Sequence, residues 1–188
     1  MPVNFKEWTV DDLGQLPNDG LQYELLDGVL HVSAIPTIEH QVIRNELFTV
    51  LHDVCPPDLF ALCTPVDWQP DSRTSLQPDV LVFPNEYLRH KHFCSPLVLA
   101  VEILSPSTRY RDLVLKRDKY ASSGVSSYWV VDPDVPSILA GDLVDGRYRV
   151  VAEVAGSESV DLQLPFPVTL CPAALVSRWR RLTPPHIP

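Results

Sequence analysis

The segment of residues 97–133, LVLAVEILSPSTRYRDLVLKRDKYASSGVSSYWVVDP, decides the fold class. Its first part, residues 97–104, is an apolar run that only Glu102 interrupts, and a proline lies close to each end. This length and composition predict a buried strand. A helix is predicted from Ser107 or Thr108, either of which can cap it, to about residue 123, with Gly124 ending it. The run SYWVVDP, residues 127–133, predicts a second short strand.

The order strand, helix, strand predicts a βαβ unit, in which two parallel strands are joined by a right-handed crossover. The segment therefore places the chain in the α/β class. Glu102 is the exception in the first strand, because a carboxylate inside a buried strand is costly unless it is paired, hydrogen-bonded or bound to a metal. That cost makes Glu102 the first candidate functional residue.

The composition is that of one globular domain. The chain has 188 residues, 45% hydrophobic and 21% charged, which predicts a single domain over residues 1–188 with a short C-terminal tail. The net charge of −9 argues against a broad basic surface for nucleic acid but leaves a local basic groove open. The four cysteines show no CxxC spacing, which predicts reduced thiols in a cytoplasmic protein and no zinc site. The opening residues predict no signal peptide, and no apolar run is long enough to span a membrane.

The N-terminal part predicts a hairpin followed by a helix. In YELLDGVLHVS, residues 23–33, Asp27-Gly28 separates two apolar stretches, and both turn residues tolerate a positive φ. Glu24 lies on the first strand. Residues 36–55 have apolar positions at helical spacing, and His40 belongs to their inward stripe. Two interpretations of His40 stay open: a buried, hydrogen-bonded core histidine, or a group that supports the site or contacts the substrate.

The middle of the chain predicts a strand, a loop and a second strand. The strand covers residues 60–68 with an interruption at Pro65, and the polar residues 70–77 predict the loop. Asp79 then precedes four apolar residues, so it lies at the mouth of a short buried strand. Residues 84–96 predict another loop, whose basic side chains are either solvated or in contact with phosphate. They are Arg89, His90, Lys91 and His92.

The C-terminal part predicts further strands and a last helix. Residues 137–143 and 148–154 flank Asp145-Gly146, a second hairpin signal. Residues 159–164 predict one more strand. A short helix over residues 172–179 leads into the basic tail.

Three acids, Glu24, Asp79 and Glu102, are set against predicted apolar strands. Carboxylates on neighbouring strands can hold a hard cation such as Mg²⁺, and a bound divalent ion can activate water and stabilise charge on a phosphoryl oxygen. The alternative is structural: Glu102 pairs with Lys116 or Arg109 as a buried ion bridge, and Asp79 caps a turn. The residue pattern leaves both interpretations open.

Lys116 is the basic residue placed to join the acids. It shares a helical stripe, spaced three and four residues apart, with Asp112, Leu113 and Tyr120. Leu113 and Tyr120 indicate that the stripe faces the sheet, which turns the Lys116 ammonium toward the strand ends. A lysine there can orient the attacking water or neutralise charge in the transition state. Tyr120 is the neighbouring candidate for supporting the site or contacting the substrate.

Six motifs, in this order, resemble the Uma-two family: YELLDG, EHQ, QPDV, VEILSPSTRYRD, a following lysine, and GVSSYWVVDP. The resemblance runs from about residue 9 to residue 175 and keeps the order and spacing of the motifs. The family is described as restriction-endonuclease-like and belongs to the PD-(D/E)XK nuclease superfamily. The resemblance implies a restriction-endonuclease-like core, with a mixed central β-sheet flanked by helices, and a metal-dependent phosphodiesterase site.

The resemblance also implies roles for individual residues. Asp79 of QPDV matches the superfamily's metal-binding aspartate and Glu102 of VEIL its second acid, so these two are the implied ligands of Mg²⁺ or Mn²⁺. Glu24 of YELLDG matches the family's early acid. His40 of EHQ matches the histidine on the first long helix.

The lysine departs from the superfamily pattern. That pattern has a lysine two residues after the second acid, where this chain has Leu104. Lys116, on the following helix, is where this family carries a lysine. The resemblance therefore implies Lys116 as the catalytic lysine beside the acids Glu24, Asp79 and Glu102.

The leading hypothesis is a cytoplasmic, Mg²⁺- or Mn²⁺-dependent endonuclease that hydrolyses phosphodiester bonds of DNA. Nucleases of this fold often dimerise to cut both strands, so the resemblance also raises a homodimer. The rival hypothesis is a non-catalytic nucleic-acid- or protein-binding member of the same fold, which the net charge and Leu104 favour. A third hypothesis is a two-carboxylate hydrolase that needs no metal and acts on something other than nucleic acid.

Overall fold

The computed structural model describes residues 6–63, 65–89, 94 and 97–182. The strands of this part of the chain are β1 (Leu21–Leu26), β2 (Val29–Ala34), β3 (Leu59–Cys63), β4 (Trp68–Asp71), β5 (Thr74–Leu76), β6 (Val80–Pro84), β7 (Leu99–Ile103), β8 (Ser127–Asp132), β9 (Ser137–Val144), β10 (Arg147–Ala155), β11 (Val160–Leu162) and β12 (Val168–Leu170). The α-helices are α1 (Val10–Leu13), α2 (Ile38–Val54), α3 (Arg117–Ser122) and α4 (Pro172–Leu182). A 3-10 helix covers Asn85–Arg89, and a π-helix, Arg111–Lys116, runs directly into α3.

The main sheet is mixed and has six strands in the order β10-β9-β8-β7-β6-β3. Its neighbours pair antiparallel except β7 and β8, which are parallel. The chain returns from β7 to β8 through the π-helix and α3, as a parallel pair requires. The predicted strand–helix–strand unit and the predicted α/β class with a mixed central sheet are thus confirmed.

Both faces of the main sheet are covered, which is why its central strands β6, β7 and β8 are buried along their lengths. On one face, β7 side chains such as Val101 pack against α2 and α4, through residues including Leu47 and Leu175. On the other face, β7 contributes Ala100, which packs in a cluster with Tyr120 of α3. Because side chains alternate along a strand, Glu102 points to the same face as Ala100.

A four-stranded sheet in the order β2-β1-β5-β4 packs on the second face through Leu26, Trp68 and Leu76. Two predictions were wrong here. The predicted strand over residues 60–68 is two strands in different sheets, and residues 70–77, predicted as a loop, form most of the β4–β5 hairpin. The sequence signal was weak because β5 is mostly polar, yet Thr74 and Ser75 are fully buried.

The other local predictions match closely. Asp27 and Gly28 both have positive φ, +50° and +85°, in the turn between β1 and β2. The helix predicted over residues 36–55 is α2, which starts after Thr37, whose hydroxyl caps it by accepting the His40 N–H. The helix after β7 ends before Gly124, which has φ +81°.

The C-terminal part adds the β9–β10 hairpin, the small β11–β12 pair and α4, which extends three residues beyond its predicted end. None of the helices in the described ranges is long and apolar enough to cross a membrane. His90, Lys91 and His92 of the predicted basic loop, and residues 183–188 of the tail, lie outside the described residues.

Candidate active site

A cleft of about 420 Å³ opens where β1, β6 and β7 approach the π-helix. Five of the predicted site residues line it together: Glu24, His40, Asp79, Glu102 and Lys116. The sixth, Tyr120, lies beneath the cleft and reaches it through its hydroxyl group, which bonds Glu102. Residues separated by more than ninety positions in the chain therefore meet at one place.

Glu102 lies at the bottom of this cleft, 3% exposed. Its Oε1 accepts hydrogen bonds from the Lys116 ammonium at 3.0 Å and the Tyr120 hydroxyl at 2.8 Å. Burial raises the pKa of Glu102 well above its ordinary value, and the nearby acids Asp112, Asp79 and Glu24 add to the rise, outweighing the attraction of Lys116. Burial and the neighbouring acids thus both disfavour the ionised form of Glu102.

Lys116 is the centre of the cluster and is 2% exposed. Its Nζ lies 2.8 Å from Glu24 Oε1, 3.0 Å from Glu102 Oε1 and 3.7 Å from Asp112 Oδ1. Burial alone would lower the pKa of Lys116, but the three carboxylates outweigh it and raise the pKa above its ordinary value. The side chain is therefore a fixed ammonium ion at neutral pH.

Glu24 projects from β1 and is held through both oxygens. Its Oε1 accepts the backbone N–H of Gln77 at 2.8 Å as well as the Lys116 ammonium, and its Oε2 lies 3.0 Å from the Arg111 guanidinium. Burial raises the pKa of Glu24, but Lys116 and Arg111 outweigh burial, so its pKa is lowered overall. Glu24 is thus the ionised acid of the cluster.

Asp79 and His40 form a second pair at the edge of the cleft. Asp79 Oδ2 accepts the backbone N–H of Ile103 at 2.8 Å, which ties the start of β6 to the end of β7. His40 Nε2 lies 3.3 Å from the same oxygen and 3.0 Å from the carbonyl oxygen of Ile103. Burial lowers the pKa of His40, but the bond to Asp79 and its charge outweigh burial and raise the pKa overall. His40 is therefore both a hydrogen-bonded core histidine and a support for Asp79.

The structural alternative named Lys116 or Arg109 as the partner of Glu102, and the structure shows the pair with Lys116. Arg109 instead pairs with Asp132 at the end of β8. Leu104, where the superfamily pattern has lysine, is 4% exposed and packs in the apolar cluster around Tyr120. The ammonium group beside Glu102 therefore comes from the helix and not from the strand.

Arg111 and Asp112 also line the cleft, and neither was predicted as a site residue. Asp112 is 2% exposed, and its Oδ1 has no hydrogen-bond donor among the described residues. Burial raises the pKa of Asp112. A regular α-helix would not bring Arg111 onto the face of Lys116, five residues on, so the helical pattern used for the prediction could not find it.

Comparison with known proteins identifies the family. The family model Uma2, described as "Putative restriction endonuclease", matches residues 10–175. This chain belongs to the Uma2 family. A search of curated proteins found no match.

A solved structure has the same fold. It is a putative nuclease belonging to DUF820 from Anabaena variabilis, with a TM-score of 0.71 at 20% sequence identity, and the alignment covers 90% of this chain and 98% of that one. The predicted restriction-endonuclease-like fold and the predicted family are thus confirmed.

The donor chemistry of the Uma2 cleft fits a hard divalent cation. Asp79, directly before β6, and Glu102 of β7 supply buried carboxylate oxygens, and a bound cation would oppose the burial and the neighbouring acids that raise the pKa of Glu102. Among the described residues no three or more His, Cys, Asp or Glu side chains are grouped as a metal site. Mg²⁺ often takes only one or two carboxylates, with water and phosphate oxygens as its other ligands, so two carboxylates are a sufficient donor set.

Titration of the acids tests this crowding directly. In the metal-free protein we expect the Glu102 carboxyl to titrate above its ordinary value and Glu24 below it, because Lys116 and Arg111 lie 2.8 and 3.0 Å from the Glu24 carboxylate. Added Mg²⁺ should lower the Glu102 pKa. Carbon-detected NMR of the side-chain carboxyls measures both shifts. If Glu102 titrates at or below its ordinary value without metal, the crowding argument is wrong.

Proposed function

We propose that the protein is a Mg²⁺- or Mn²⁺-dependent endonuclease that hydrolyses phosphodiester bonds of DNA. One observation carries the proposal: the Lys116 ammonium, supplied by the helix, lies within 3.0 Å of two buried acids, Glu24 and Glu102, in a cleft that also contains Asp79. Two buried acids with a fixed ammonium group between them suit chemistry in which negative charge develops on a phosphate. Membership of a family described as restriction endonucleases supports the substrate class.

Each residue has a distinct role in this proposal. Asp79 and Glu102 would hold the divalent ion, which supplies Lewis-acid stabilisation of phosphate charge. Glu24 accepts a hydrogen bond from the attacking water and orients it toward phosphorus. Lys116 stabilises the charge that develops on the phosphate oxygens. His40 keeps Asp79 in place.

Tyr120 completes the set by fixing Glu102. Its hydroxyl donates to the carboxylate, while its ring packs against Trp68 and Tyr128 with centroid separations of 5.1 and 5.3 Å. Tyr120 is fully buried, so it supports the site and does not contact the substrate.

The same cleft leaves two rival functions to be tested. A non-catalytic binding member of the fold is favoured by the apolar, well-packed Leu104 where the superfamily carries lysine. A two-carboxylate hydrolase would use the acids without an ion. A homodimer, which would place two clefts on one duplex, belongs to the nuclease proposal only.

Assays of DNA cleavage and DNA binding distinguish the three. Supercoiled plasmid and single-stranded DNA would be incubated with the protein and Mg²⁺, Mn²⁺ or EDTA, and products resolved on gels. We expect cleavage with Mg²⁺ or Mn²⁺ and none with EDTA. Cleavage that persists in EDTA would contradict the metal dependence, and a protein that neither cleaves nor binds DNA would favour the metal-free hydrolase. Binding of DNA without cleavage in either ion would support the non-catalytic member.

A further inference from the structure

Arg111 and Lys116 both contact the Glu24 carboxylate although they are five residues apart in the chain. Arg111 lies 3.0 Å from Glu24 Oε2, and Lys116 lies 2.8 Å from Glu24 Oε1. In an α-helix, with 3.6 residues per turn, side chains five residues apart point about 140° away from each other. Two such residues cannot normally hold one side chain.

The π-helix over Arg111–Lys116 resolves this conflict. In a π-helix each N–H bonds the carbonyl five residues earlier, so residues five apart lie nearly above one another. The outward positions of this segment are Val114 and Leu115, which are 38% and 37% exposed, whereas the Arg111 side chain is 14% exposed. The unusual helical geometry therefore serves to bring Arg111 into the cleft beside Lys116.

The two oxygens of Glu24 are used differently. Among the described residues, Oε1 receives two donors, the Gln77 N–H and the Lys116 ammonium, while Oε2 faces the Arg111 guanidinium. A carboxylate oxygen accepts about two hydrogen bonds. Oε1 is thus saturated, and Oε2 is the oxygen with capacity left for a water molecule.

We propose that Arg111 is a positioning residue, which holds Glu24 so that Oε2 accepts the hydrogen bond of the attacking water. This inference rests on the proposed nuclease function and adds a residue and a working atom to it. Arg111 acts through Glu24 and not through contact with the DNA. Its loss should therefore slow the chemical step and leave substrate binding nearly unchanged.

Steady-state cleavage of a DNA oligonucleotide in Mg²⁺ tests this prediction. We expect Arg111→Gln to lower kcat by at least about tenfold with KM changed by less than about twofold, and Arg111→Lys to recover part of the loss. In the Glu24→Gln background, Arg111→Gln should cost less than about twofold more, because Arg111 acts through Glu24. Arg117→Gln is the matched control, since Arg117 lies on the same helix but bonds the carbonyl of Tyr148; it should leave kcat unchanged.

Two results would overturn the proposal. A raised KM with a reduced salt dependence in Arg111→Gln would assign Arg111 to a DNA phosphate. Losses that multiply in the double variant would show that Arg111 acts independently of Glu24.

Urea unfolding of wild type, Arg111→Gln, Glu24→Gln and the double variant separates this proposal from the nuclease function. Arg111→Gln should lower the unfolding midpoint more in the wild-type background than in the Glu24→Gln background, where Arg111 keeps its 3.8 Å contact with Asp112. Equal shifts in both backgrounds would contradict the contact on which the proposal depends. If the wild-type protein does not cleave DNA at all, the nuclease function fails, and the unfolding result alone decides whether Arg111 holds Glu24.

Discussion

Lys116→Ala should reduce Mg²⁺-dependent DNA cleavage by at least about a hundredfold, the usual effect of removing a group that stabilises transition-state charge. The ammonium is fixed by three carboxylates and is fully charged at neutral pH, so no proton transfer is needed before it acts. Leu104 cannot replace it, because leucine carries no charge. Initial rates of plasmid nicking, compared with wild type, measure the effect.

The same substitution should also destabilise the fold. Removing Lys116 leaves the buried carboxylates of Glu24, Glu102 and Asp112 without the ammonium that offsets their charge. Breaking a buried ion pair in this way typically costs about 3–5 kcal/mol. Cleavage must therefore be measured well below the melting temperature, with folding checked by circular dichroism.

Lys119→Ala is the matched control for Lys116→Ala. Lys119 lies outside the cleft and bridges Asp27 and Asp71 at 2.6 and 2.7 Å. It thereby joins α3 to the two hairpin turns of the four-stranded sheet. Its loss should cost about 1 kcal/mol of stability and leave cleavage unchanged. Equal activity of wild type, Lys116→Ala and Lys119→Ala would remove Lys116 from the mechanism.

Glu102→Gln and Glu24→Gln should both slow cleavage strongly but change stability in opposite directions. Burial and neighbouring acids raise the pKa of Glu102, so its ionised form costs stability at neutral pH. Lys116 and Arg111 lower the pKa of Glu24 despite burial, so its ionised form contributes stability. In the metal-free protein, Glu102→Gln is therefore expected to be as stable as wild type or more so, and Glu24→Gln less stable.

The dependence on pH follows from the same signs. The contribution of Glu24 is complete above its ordinary pKa of 4.5 and is lost as the pH falls toward its lower folded value. For Glu102, lowering the pH toward its raised folded pKa protonates the carboxyl and relieves the penalty. Urea unfolding of both variants between about pH 3 and 8, on both sides of the ordinary carboxyl pKa, measures the two effects. Equal destabilisation by both substitutions would contradict the opposite pKa shifts of Glu24 and Glu102.

The sequence predicted the fold well where local chemistry is strong. Asp27-Gly28 and Asp145-Gly146 determine hairpins because their residues adopt positive φ at little cost. The apolar runs around Glu102 and Trp129 could only be buried strands, and the helix between them required a parallel pair. The β4–β5 hairpin was missed because its central residues, such as Ser75, are polar and are buried by tertiary packing that no local pattern records.

The candidate site was predictable in part for a related reason. Glu24, Asp79 and Glu102 stand out as acids among apolar strand residues, and Lys116 shares a stripe with Tyr120, so a regular pattern reveals them. Arg111 was missed because its position depends on the π-helix, which breaks the α-helical period on which the prediction relied.

The central claim is that Asp79 and Glu102 hold a divalent ion, and calorimetric titration of Mg²⁺ and Mn²⁺ tests it most directly. Wild type, Asp79→Asn and Asp118→Asn would be compared, the last as a control because Asp118 is an exposed acid on α3. We predict that wild type and Asp118→Asn bind the ion equally and that Asp79→Asn binds at least about tenfold more weakly. Equal binding by all three proteins, or no binding by the folded wild type, would contradict the claim.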